Sequence, residues 1–105
     1  MAQYDVYVNP QRQSRQFVPF VVDVQSGLID QLPTRLVLPL SRVGAVMTHL
    51  PLNLCPVVRI EGETLTIQPH LAAPVAANQL KTLVANLQSR SGDIAAALDA
   101  VLSGI

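Results

Sequence analysis

The chain has 105 residues, half of them apolar, with seven acidic side chains balancing seven basic ones. That length gives room for one core, burying roughly 60–65% of the surface an unfolded chain exposes, and leads us to expect a single domain over residues 1–105. Charges scattered one at a time leave no basic stripe for phosphates and no like-charged run, which argues against nucleic acid as the main partner and against a long disordered tail.

Aromatic residues are confined to Tyr4, Tyr7, Phe17 and Phe20, so the core is expected to be Val, Leu, Ile and Ala. No run of about 18 apolar residues is present, and the opening Met1-Ala2-Gln3-Tyr4-Asp5 lacks a basic segment followed by an apolar one. The expectation is a soluble, cytosolic protein with no membrane partner. The single Cys55 has no internal disulfide partner, in keeping with a reducing compartment.

In chain order, Gln3 to Asn9 alternates Tyr4, Val6 and Val8 against Gln3, Asp5 and Tyr7, the period of a half-buried strand. A polar loop with turn formers and two arginines follows from Asn9 to Gln16, and Phe17 to Val24 resumes a β-rich run, together predicting a hairpin with a long tip. Pro19 has no N–H for a ladder, which predicts an edge or a bulge there. Gln25 to Pro33 is a connection whose apolar pair, Leu28 and Ile29, stands between polar neighbours. Thr34 to Leu40 reads as a third strand. Ser41 to Leu50 fits a loop or a short helix, since Val43, Val46, Met47 and Leu50 have helical spacing but Gly44 weakens it; a loop is favoured.

Pro56 to Ile60 and Glu63 to Ile67 are two β-branched runs about Glu61-Gly62, the clearest hairpin in the sequence. Leu71 to Ala77 has space for one more short strand. Asn78 to Leu87 leads through Leu80, Leu83, Val84 and Leu87 into a terminal helix. There Ile94, Ala97, Leu98, Val101, Leu102 and Ile105 recur at the spacing of one helical face, with Ala95 and Asp99 opposite. Ser89 or Ser91 can cap its first turn, Asp93 complements its positive end, and Gly104 stops it near Leu102 or Ser103. About five short antiparallel strands followed by one helix predict a mainly β (α+β) fold, a small, partly open barrel or rolled sheet with a helix packed on it.

Chemistry is sparse. His49, His70 and Cys55 are the soft metal ligands available, without CxxC, HxxxH or clustered carboxylates, so no metal and no cofactor is expected. Hydrolase, phosphate-loop and dinucleotide signatures are absent. Glu61 and Glu63 flank a turn, where paired carboxylates are ordinarily solvated, and neighbouring Arg59 suggests a surface ion pair. Cys55, before a proline in an apolar stretch, reads as a small buried hydrophobe. No catalytic group is predicted. The tail Gly104-Ile105 puts an apolar side chain and a carboxylate at the negative end of a helix, where that charge is disfavoured by ~0.3–1 kcal/mol. It either packs on the sheet with its carboxylate solvated or meets a cationic partner.

Gln3-Tyr4-Asp5-Val6-Tyr7, the block from Phe20 to Asp30 with its Asp23-Val24-Gln25-Ser26 core, Arg35 to Leu40, Cys55 to Ile60 and the final Gly104-Ile105 together resemble the CcdB toxins. The resemblance spans nearly the whole sequence; nothing is carried over for residues 71–83. It implies an SH3-like, partly open barrel with a small extra sheet and a C-terminal helix, forming a homodimer. The implied function is that of the toxin of a type II toxin–antitoxin module. Such toxins bind the DNA gyrase A subunit through the helix and tail, trap the gyrase–DNA cleavage complex, and touch DNA only indirectly. The gyrase-facing positions carried over are Ser26, Leu28, Ile29, Asp99, Leu102, Ser103, Gly104 and Ile105. A cognate antitoxin with a disordered C-terminal arm is implied as second partner, docking on the loop from Val8 to Arg15 and the helix face.

Position 103 departs from the family pattern, in which a tryptophan stacks on a cationic side chain of gyrase; serine offers only a hydroxyl. Two alternatives stand beside the gyrase poison. An endoribonuclease of the MazF type would share the barrel but needs a basic groove and a general base. A non-toxic relative would bind only an antitoxin-like peptide.

Overall fold

A computed structural model describes residues 2–27, 31–42 and 54–103. The described residues form seven strands and one helix: β1 (Asp5–Val8), β2 (Phe20–Asp23), β3 (Thr34–Arg42), β4 (Val57–Ile60), β5 (Glu63–Ile67), β6 (Ala73–Ala76), β7 (Leu83–Asn86) and α1 (Ser91–Ser103). The strands make one antiparallel sheet in the order β4-β5-β3-β2-β1-β7, curled into a half-barrel of SH3-like α+β type with α1 as its C-terminal helix. In place of the small extra sheet of the expectation, β6 branches from this same sheet, paired to β3 through Thr34↔Ala76 to Val37↔Ala73. Farther along, the same edge of β3 pairs with β5 through Leu40↔Ile67 to Arg42↔Leu65, while its other edge carries β2.

Both predicted hairpins form. β1 and β2 pair through Val6↔Val22, and β4 and β5 close at Ile60↔Glu63 about Glu61-Gly62. Both turn residues have positive φ (52° and 80°), the condition for a two-residue turn whose twist matches that of the strands.

Several expectations are corrected. Pro19 causes neither an edge nor a bulge: β2 begins one residue later and lies inside the sheet between β1 and β3, and Pro19 contributes only its carbonyl, which accepts the Asn9 N–H at 3.0 Å. Residues 83–86, read as a lead-in to the helix, are strand β7, because β1 offers a free edge that they fill at Asp5↔Asn86 and Val6↔Ala85. β3 runs through Ser41 and Arg42; residues 43–50, with the choice between loop and helix, lie outside the described residues. Glu63 pairs with Arg42 at 2.5 Å and not with Arg59, whose guanidinium donates to Thr64 Oγ1 and to the Gly62 carbonyl of its own hairpin.

The sheet is covered on both faces, so β1 is more deeply buried than its alternation implied. Val6, Val22, Leu38, Leu40, Leu65 and Ile67 form the main core with Ile94 of α1, while Tyr7, Val21, Val37 and Leu80 form a smaller cluster on the reverse face. Tyr4 adopts φ of 72°, which directs its N–H to the Asp23 carbonyl and its carbonyl to the Leu87 N–H, tying β1 to β2 and to the start of the helical segment.

Candidate functional site

Helix α1 begins after a 3-10 turn over Gln88–Arg90. Arg90 sets its entry: Nε donates to Asp93 Oδ2 at 2.9 Å, and Nη1 donates to the Val57 carbonyl of edge strand β4 at 3.0 Å. Ile94 and Ala97 are fully buried, Ile94 within the main core, and Leu98 packs against that same core. The predicted apolar face therefore divides along its length. Its first two turns are structural, whereas Leu102, assigned to the same stripe, is 82% exposed.

The last turn gathers three of the predicted contact residues. Asp99, Leu102 and Ser103 are all exposed, and α1 is helical through Ser103, the last described residue; the predicted stop at Gly104 lies outside the described residues. Ser103 Oγ donates to the Asp99 carbonyl at 2.6 Å, one turn back along its own helix. No basic residue lies in that turn. Asp99 and the negative end of the macrodipole give the exposed helix end an anionic character that suits a cationic partner.

Ser26 belongs to a second segment, held by buried polar groups. Arg35 Nε donates to Asp23 Oδ2 at 2.7 Å and Nη2 to the Gln25 carbonyl at 3.3 Å. The Gln25 N–H donates to Asp23 Oδ1 at 3.0 Å, and Gln25 Oε1 accepts the Leu36 N–H at 3.0 Å. These bonds fix residues 23–25, so half-buried Ser26 leaves the sheet from a rigid base. Leu28, Ile29, Gly104 and Ile105 lie outside the described residues.

On the reverse face is a feature that the sequence does not announce. Asn9 organises the β1–β2 loop: its Nδ2 donates to the Val18 carbonyl at 2.8 Å and to Ser14 Oγ at 2.9 Å, its Oδ1 accepts the Gln11 N–H, and its carbonyl accepts Arg15 Nε at 2.6 Å. The loop thus stands up as one wall of a cleft of about 470 Å³ whose floor is Val21, Val37 and Pro39 and whose other wall is Leu71, Pro74 and Val75. A cleft of about 280 Å³ lies across Pro10 and Gln79 from the first, bordered by Arg12, Arg15 and Lys81.

Cys55 is buried, and burial pushes its thiol pKa up, away from nucleophilic character. Among the described residues no group of three His, Cys, Asp or Glu side chains stands together as a metal shell, and no helix is long and apolar enough to cross a membrane. A protein-family model described as CcdB protein matches residues 3–104, including the stretch 71–83 for which the sequence reading carried nothing over.

Proposed function

Given that this chain belongs to the CcdB family, and so is supported as a toxin of a toxin–antitoxin system, we propose that it binds the DNA gyrase A subunit and traps the gyrase–DNA cleavage complex. The observation that carries the reading is the family match over residues 3–104. The exposed, anionic end of α1, with Leu102 standing free of the core, supports it as a surface matched to a cationic, partly apolar partner.

In this reading Asp99, Leu102, Ser103, Gly104 and Ile105 face gyrase from the helix end, and Ser26, Leu28 and Ile29 extend the same surface. The protein acts by occupying a conformation of another enzyme and carries out no reaction of its own. It works as a homodimer in the cytoplasm, and a cognate antitoxin neutralises it by docking its disordered arm on the loop from Val8 to Arg15 and on the helix face.

The test is expression in cells carrying wild-type or toxin-resistant gyrase A, with DNA damage and RNA integrity followed together. A DNA-damage response confined to wild-type gyrase, with RNA intact, is expected. RNA cleavage independent of the gyrase allele would replace this reading by an endoribonuclease, and neither effect would leave a non-toxic relative.

A further inference from the structure

The fold gathers charges that the sequence scatters. Arg12, Arg15 and Lys81, three of the seven basic residues, border the cleft of about 280 Å³, which Val8, Pro10 and Thr82 also line. No Asp or Glu lines it, and among the described residues no ion pair engages any of the three cations. Half-buried Arg15 spends its Nε on the Asn9 carbonyl at 2.6 Å, which anchors the guanidinium to the loop and leaves its Nη groups as donors. Arg12 and Lys81 are exposed and reach the cleft from two segments distant in sequence. A chain of zero net charge thus concentrates positive charge in one concave place, where low-dielectric walls focus the field on an anion.

We propose that this cleft is a binding site for a phosphoanhydride, a small anion of two or three linked phosphate groups. Guanidinium forks match the paired oxygens of a phosphate, and the Lys81 ammonium adds a compact point charge beside them. A carboxylate presents one pair of oxygens in one plane. Linked phosphates present oxygens in several directions, which three cations arriving from two segments can meet together. The Thr82 hydroxyl supplies a neutral donor on the same lining. Three cations around a closed hollow favour a short anion over a nucleic-acid strand, which is bound along an extended basic stripe. The inference rests neither on gyrase as the target nor on any protein partner.

The experiment is calorimetric titration of the purified full chain in magnesium-free buffer at fixed ionic strength. Tripolyphosphate should bind at least tenfold more tightly than sulfate or citrate, and raising the salt should weaken it. Arg12→Gln combined with Lys81→Gln should lower that affinity by about tenfold or more, through the loss of charge-assisted bonds. Both side chains are exposed, so the circular dichroism spectrum should stay unchanged. Lys81→Arg keeps the charge and should retain binding. A nucleoside triphosphate that binds more tightly than tripolyphosphate would identify the ligand as a nucleotide, and one that binds equally or less tightly would identify the inorganic chain; both support the site. Equal binding of sulfate, citrate and tripolyphosphate, or an affinity untouched by the double substitution, would overturn the proposal. So would a single-stranded oligonucleotide that binds more tightly than tripolyphosphate, because the cleft would then be part of a nucleic-acid surface. None of these outcomes depends on gyrase, so failure here and failure of the toxin reading are separable.

Discussion

Arg35 and Asp23 form an ion pair at 2.7 Å with 1% and 0% of their side chains accessible, and each is further engaged by the backbone of Gln25. Taking two charges out of water costs several kcal/mol per ion, and the pair persists because its geometry and the surrounding bonds leave little unsatisfied. Removing one partner strands the other. Arg35→Ala should therefore destabilise the fold by ~3–5 kcal/mol, whereas a paired apolar replacement, Asp23→Leu with Arg35→Met, should cost much less. Urea unfolding of these proteins, with Asp23→Leu and Arg35→Met as the single variants of the pair, checks this. Additive losses in the double variant would mean that the pair is held by its separate surroundings and not by mutual attraction.

Asp5 links β1 to β7. Burial acts to raise its pKa, but hydrogen bonds from Asn86 Nδ2 at 2.8 Å, the Ala2 N–H at 2.9 Å and the Tyr7 hydroxyl at 3.3 Å outweigh it and hold the carboxyl below its ordinary value. A carboxylate whose folded pKa is lowered contributes stability above its unfolded pKa of about 3.9 and loses it as pH falls through the folded value. Thermal melts of the wild type should therefore steepen in pH dependence below about pH 4, and Asp5→Asn should flatten that segment of the profile. An unchanged profile in Asp5→Asn would assign the acid sensitivity to other carboxylates.

Ile94 and Leu102 lie on one predicted stripe, yet the first is fully buried and the second 82% exposed. Ile94→Ala should cost ~2–5 kcal/mol of stability. Leu102→Ser, or deletion of residues 104–105, should leave the melting temperature nearly unchanged while abolishing binding to a gyrase A fragment. Equal loss of folding in all three variants would erase the division between a structural start and a functional end of the helix.

The resemblance implies a tryptophan at the position that Ser103 occupies. Its hydroxyl bonds back to the Asp99 carbonyl, so the side chain is turned onto its own helix instead of outward to a partner. Ser103→Trp should strengthen binding to the gyrase A fragment by ~0.5–2 kcal/mol, the range for a cation on an aromatic face, with little change in stability. Calorimetric titration of both proteins against one fragment decides; weaker binding by the variant would mean that the helix end docks in another geometry.

A homodimer is expected from the family. Sedimentation at tens of micromolar protein should give one species of twice the monomer mass, and a single species of monomer mass would refute it.

How much of this was legible in the sequence depended on whether a signal was local. The β4–β5 hairpin was, since two β-branched runs flank a turn that needs positive φ. So was α1, because its apolar period runs from Ile94 onward. β7 was not: four residues with weak alternation become a strand only because β1 supplies an edge. Nor was the burial of Arg35, which depends on Asp23 lying across the sheet. Of the candidate site, the helix end was placed by periodicity and the contact residues by resemblance. The reverse-face groove was invisible, since its walls come from the β1–β2 loop and from residues 71–79, distant in sequence and joined only by the sheet.

β3 serves two partners along one edge and a third along the other. Val37 is paired to both β2 and β6, and Leu40 to both β2 and β5. Opening β3 at Val37 or Leu40 breaks two ladders at once, whereas its start, Thr34 to Leu36, is laddered to β6 alone. Its amides facing β2 and β5 should exchange only through global unfolding, whereas fraying of the short, proline-bearing β6 frees the edge from Thr34 to Val37 without unseating the rest. The wall of the reverse-face groove that carries Pro74 and Val75 is then its softest part, able to part and reclose while β2, β3 and β5 stay paired.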